Sequence, residues 1–212
     1  MIQLYISVIL LLASYPLQQD LTFKTKSGHT IEVRGDIIHF DKKPISGEIV
    51  GVMQHSKYSR LIEQNGSILL FLEIDGAPNF NTIKGFTIKN NKATEVCDVV
   101  YNDDMHGIGP APFTDMDGDG KLELGGFDLS EAYDAEDSMY YNPSQYFEID
   151  HGTLRFDSAF TKKMDIKVNG LYLPHPLNAN GTCCVVIRKP EKKRRKNESM
   201  FFRQIDSKQF CP

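Results

Sequence analysis

Tryptophan is absent, cysteine is scarce at 4 residues, and neither charge sign dominates: 24 Lys plus Arg stand against 28 Asp plus Glu, a formal net charge of −4 over 212 residues. The slight acidity argues against a body built mainly to hold nucleic acid, whose phosphates reward a basic face. No stretch approaches the roughly 18 consecutive apolar residues of a membrane span. Also lacking are the G-x-S-x-G, H-E-x-x-H, Walker A and G-x-G-x-x-G patterns, so no catalytic role is assigned from spacing. Asp103, Asp104 and His106 lie close together, and nothing in their pattern beyond proximity marks a general base.

What remains is an ordinary globular composition, 41% hydrophobic and 25% charged, in a length that suits one domain. Leu4 to Ala13 form an apolar run of about ten residues, short for a membrane helix and matched to a signal-peptide core. Residues 1–19 therefore read as a signal peptide and 20–212 as a single β domain, which places the product outside the cytoplasm, secreted or periplasmic. Cys97, Cys183, Cys184 and Cys211 contain no C-x-x-C pair that would suggest zinc. Buried thiols and one disulfide, such as Cys184 to Cys211, both stay open.

Turn chemistry organises the body. Asn65-Gly66 lies between YSRLIEQ and SILLFLEID, a strong hairpin signal because both residues tolerate positive φ. Asn90-Asn91-Lys92, Asp150-His151-Gly152 and Lys26-Ser27-Gly28 separate further strand-like pairs, and a last hairpin is expected between CCVVI and MFFRQI. Its connector, at 188–198, is strongly basic and reads as a solvated loop that guards edge strands, recognition of an anionic partner being the alternative. No long amphipathic helix is expected. The fold class is mainly β, an antiparallel hairpin meander with a β-propeller-like arrangement, a β-sandwich or a barrel being the alternatives.

The segment richest in chemistry is D-M-D-G-D-G-K-L-E, residues 115–123. Alternate side chains turn toward one centre while glycine allows a sharp bend, so Asp115, Asp117, Asp119 and Glu123 supply carboxylates and Lys121 a backbone carbonyl. Such an all-oxygen cage suits calcium, which accepts six to eight ligands in flexible geometry, better than octahedral magnesium. An EF-hand is a poorer match, since position 12 is Gly126 and the flanks are too rich in Gly and Pro for two helices. From 115 to 137 nine acids face one base, Lys121, making this the strongest field on the molecule. Tyr133, Tyr140, Tyr141, Tyr146 and Phe147 lie in and just after this segment and suit either a core or a binding surface.

GIGPAPFTDMDGDGKLELGGFD, Gly107 to Asp128, resembles the integrin-type FG-GAP (VCBS-like) calcium repeat, with Glu123 in place of the usual Asp and a single clear copy. The resemblance implies a loop that joins two strands of a propeller blade and ligands at Asp115, Asp117, Asp119, Lys121 and Glu123. The expected function is an exported calcium-binding, non-catalytic module with a protein or glycan partner. Two alternatives are a periplasmic inhibitor of a secreted hydrolase, similar to the calcium-loop lysozyme inhibitors of some bacteria, and a carbohydrate-active enzyme.

Overall fold

The computed structural model describes residues 21–78, 80–103, 107–108, 110–127, 135–174 and 185–189. The signal-peptide segment, Cys183, Cys184, Cys211, Tyr133 and all but the start of the basic connector lie outside them, as do Asp104, His106 and the side chain of Asp103. The strands are β1 (Leu21–Lys24), β2 (Thr30–Arg34), β3 (Ile37–Phe40), β4 (Lys43–Glu48), β5 (Arg60–Gln64), β6 (Ser67–Asp75), β7 (Phe80–Lys89), β8 (Lys92–Asp103), β9 (Gly107–Ile108), β10 (Leu122–Phe127), β11 (Ser138–Tyr140), β12 (Ser144–Asp150), β13 (Thr153–Phe156) and β14 (Val186–Arg188). Among the described residues one helix, α1 (Ser158–Asn169), follows β13.

The hairpin signals fold as their chemistry demands. Asn65, Gly66, Asn90, Asn91, His151 and Gly152 all take positive φ, between 50° and 79°, at the β5–β6, β7–β8 and β12–β13 turns. The β1–β2 hairpin likewise turns through Gly28. Strands β1 to β4 make a four-stranded antiparallel sheet, and a second sheet runs β13-β12-β10-β8-β7-β6-β5 with β9 beside β8. In the described residues Val186–Arg188 pairs with Ser138–Tyr140. The expected pairing with MFFRQI falls outside them.

Burial explains the apolar run Ile68–Leu72 within β6. Leu70, Leu72 and Ile74 pack with Ile31, Val33, Ile38 and Ile45 of the small sheet, a sandwich-like contact. Leu69 and Phe71 face a second core with Ile83, Val99, Tyr101, Leu124 and Ile149, so both faces of the strand are covered. Ile62 of β5 and Leu154 of β13 join that same core although they belong to opposite ends of the sheet.

The large sheet therefore curls. Its ends touch where the Gly152 amide donates to Gln64 Oε1 at 2.9 Å and Asn65 Nδ2 donates to the His151 carbonyl at 3.4 Å. Gly152 permits the approach, because a Cβ there would lie 2.3 Å from the Gln64 carbonyl oxygen. Among the described residues no ladder joins β5 to β13 and no sheet closes into a barrel. A propeller-like ring of blades is not confirmed, since β5 to β8 continue into β10, β12 and β13 within one sheet.

The helix, 12 residues long, corrects the expectation that no long amphipathic helix would form. Asp157 caps its start by accepting the Phe160 amide at 2.8 Å, and Gly170 ends it with φ 75°. Its buried stripe is Phe160, Thr161, Met164, Asp165 and Asn169, which has helical spacing but is largely polar. Phe160 and Met164 pack on Tyr146 of β12. Among the described residues no helix is long and apolar enough to cross a membrane.

Candidate metal centre

The loop between Thr114 and β10 is closed by a backbone pair before any side chain is considered. Phe113 N donates to the Glu123 carbonyl at 2.6 Å, and Glu123 N donates to the Thr114 carbonyl at 2.9 Å. Gly118 and Gly120 both sit at φ 89°, a left-handed bend that disfavours side-chain-bearing residues. The bend folds the backbone amides inward: Gly118 N and Gly120 N donate to the two oxygens of Asp115 at 2.7 and 3.0 Å. Asp119 N donates to Asp117 Oδ1 at 3.1 Å, and Lys121 N to Asp119 Oδ1 at 2.9 Å.

This geometry brings Asp115, Asp117, Asp119 and Glu123 together, with one ligand atom from each within 4.8 Å of the others. The three aspartates are exposed, whereas Glu123 is only 1% exposed. Glu123 Oε2 accepts the Met116 amide at 2.5 Å, and Oε1, itself buried, has no hydrogen-bond partner among the described residues. Burial holds the Glu123 carboxyl above its usual range; the Met116 amide opposes that, and the charges of Asp117, Asp119 and Asp115 add to it. A dehydrated carboxylate oxygen without a donor is costly, and a cation bound there removes the cost. Four carboxylates in this arrangement could hold a metal ion of oxygen-preferring type.

Two further side chains border the cluster: that of Lys121, named from sequence for its carbonyl and as the lone base, and that of Glu148, which was not singled out. The Lys121 ammonium lies 3.1 Å from Asp119 Oδ2 and 2.8 Å from Glu148 Oε2. Glu148 stands opposite Glu123 in the β10–β12 register. The Glu148 hydrogen bond, followed by that to Asp119, raises the Lys121 pKa above its usual value. The Lys121 amide, followed by its ammonium, lowers that of Asp119. Glu148 is 25 residues from Lys121's neighbour Glu123 along the chain, so only strand register reveals it.

Met116 anchors the loop from the other side, packing against Tyr146, Phe160 and Met164. Of the aromatic residues near the acidic segment, Tyr141 and Tyr146 are core, at 2% and 1% exposure, and Phe147 is half-buried. Tyr141 donates to Asp165 of the helix rather than lining an open surface. Cys97 is a buried free thiol. Compared with known proteins, the chain matches no family model, no curated protein and no solved structure.

Proposed function

We propose that the chain is an exported, calcium-binding, non-catalytic interaction module of FG-GAP/VCBS-like type. The 115–123 loop wraps the ion through the carboxylates of Asp115, Asp117, Asp119 and Glu123 and the carbonyl of Lys121. The observation that carries this reading is Glu123: a carboxylate at 1% exposure, directed into three aspartates, with one oxygen lacking any donor. Calcium is preferred because one long and three short carboxylates plus a carbonyl suit flexible coordination by six to eight oxygens. The reading needs the loop and its flanking strands, not a propeller ring. Export is supported by the apolar run from Leu4 to Ala13. A protein or glycan partner is proposed because a folded body with one structural ion and no assigned catalytic group serves best as a recognition scaffold.

An ion that prefers the folded state raises stability by about 2.7 kcal/mol at one hundred times its Kd. For a chain of this size that corresponds to roughly 5–11 °C in melting temperature. Asp117→Ala is expected to abolish the calcium-dependent rise while leaving the EDTA melting temperature within a few degrees of wild type. A wild-type melting curve indifferent to calcium and to chelator overturns the assignment.

A further inference from the structure

We propose that Lys121, anchored by Glu148, is a resident cation that sets the affinity of the 115–123 loop and discriminates between ions by their charge. The inference rests on the calcium reading and deepens it, since it assigns control of that site to two side chains that are not themselves ligands.

The geometry is specific to this pair. Lys121 belongs to the loop, and its backbone carbonyl is a proposed ligand, yet its side chain reaches across to β12. There Glu148 holds the ammonium at 2.8 Å, while Asp119 Oδ2 lies 3.1 Å away on the other side. An ion bonded to Asp119 Oδ2 at about 2.4 Å sits within roughly 6 Å of that ammonium. Glu148 is the cross-strand partner of Glu123, so the anchor rides on the same strand pair as the buried ligand and keeps its place when the loop closes on an ion. Asp119 then has two cations competing for its charge. Glu148 retains Lys121 when Asp119 turns to the metal, which keeps the ammonium close without blocking the site.

Coulomb repulsion between a unit and a double charge at this separation, in a mostly aqueous dielectric and with salt present, weakens binding roughly five- to fifteenfold. The penalty grows with ion charge, so a trivalent lanthanide suffers more than calcium. Removing Glu148 has the opposite effect on the site: it deletes a negative charge and leaves Lys121 with Asp119 as its remaining partner.

The test is calorimetric titration of the full chain with calcium chloride and with terbium chloride, at low and at physiological ionic strength. Lys121→Gln keeps the backbone carbonyl and is expected to bind calcium roughly five- to fifteenfold tighter, with a larger gain for terbium and a smaller gain at higher salt. Glu148→Gln is expected to bind both ions more weakly, and the double variant to lie close to wild type. Melting curves in EDTA confirm that each variant is folded, with Lys121→Met as the second neutral variant. Calcium affinity in Lys121→Gln and Lys121→Met that equals or falls below wild type overturns the inference, as does an equal gain for both ions, which would mean a steric effect. If the wild-type chain takes up no calcium, the calcium reading itself fails and this inference goes with it. The two failures are therefore distinct.

Discussion

Glu73 and Asp165 are as inaccessible as Glu123, at 4% and 1% exposure, but they are finished in a different way. Glu73 accepts from Tyr101 OH on one oxygen and from Ser56 OH on the other. Asp165 accepts from Tyr141 OH on Oδ2, and from Ser144 N at 2.8 Å and Asn169 Nδ2 at 2.9 Å on Oδ1. Among the described residues Glu123 has a single donor, the Met116 amide on Oε2. The first two acids are braces, each of whose two oxygens accepts at least one hydrogen bond from within the protein. The third keeps one oxygen without a donor among the described residues, and it is the one grouped with three other carboxylates that could hold a metal ion. On the proposed reading, the contrast separates structural burial of charge from burial that serves a binding site.

The largest expected effect comes from breaking a brace. Asp165→Ala strips the acceptor from a tyrosine hydroxyl, an amide side chain and a backbone N–H, each worth about 1–3 kcal/mol when left buried. Urea denaturation should show a loss of roughly 3–5 kcal/mol, and calcium should not restore it. Glu123→Gln should behave in the opposite way: the calcium-dependent rise in melting temperature disappears, while stability in EDTA is no lower than wild type, because a neutral amide replaces a costly buried charge. A metal-free loss as large as that of Asp165→Ala would place Glu123 among the braces and erase the contrast.

Cys97 sharpens the comparison with a weaker acid. Its thiol is pushed up to about 12 by burial, so it stays protonated in the folded state well above neutral pH, whereas the unfolded thiol ionises near 9. The sign follows from linkage: no stability is lost below pH 9, and stability falls between the two values as unfolding releases a proton. At pH 10 wild type should have lost about 1.4 kcal/mol more than Cys97→Ala, relative to neutral pH. Denaturation at pH 7.5 and pH 10, compared between the two proteins, measures it; parallel losses would mean that Cys97 is accessible.

The hairpins were legible because their turns carry their own conformational signal: Asn65-Gly66, Asn90-Asn91 and His151-Gly152 all adopt the positive φ that their residue types tolerate. The acidic loop was legible for the same reason, since alternation and glycine spacing are local properties. The helix was hidden because two of its inward residues, Thr161 and Asp165, are buried through hydrogen bonds rather than apolarity, which blurs the periodicity even though Asp157 and Gly170 mark its ends. The contact of Gly152 with Gln64 and the approach of Glu148 to Lys121 could not be read at all. Both depend on register accumulated across several strands, and no short window of sequence contains it.

Met116 gives the loop a built-in reporter. Its side chain packs against the cluster of Tyr146, Phe160 and Met164, while its backbone amide donates to Glu123. Ring currents should therefore shift its methyl resonance to an unusual frequency, and any rearrangement of the acidic bend should move that signal. A single isotope-labelled methyl group thus offers a way to watch ion uptake by NMR inside the intact chain, without an added dye or tag.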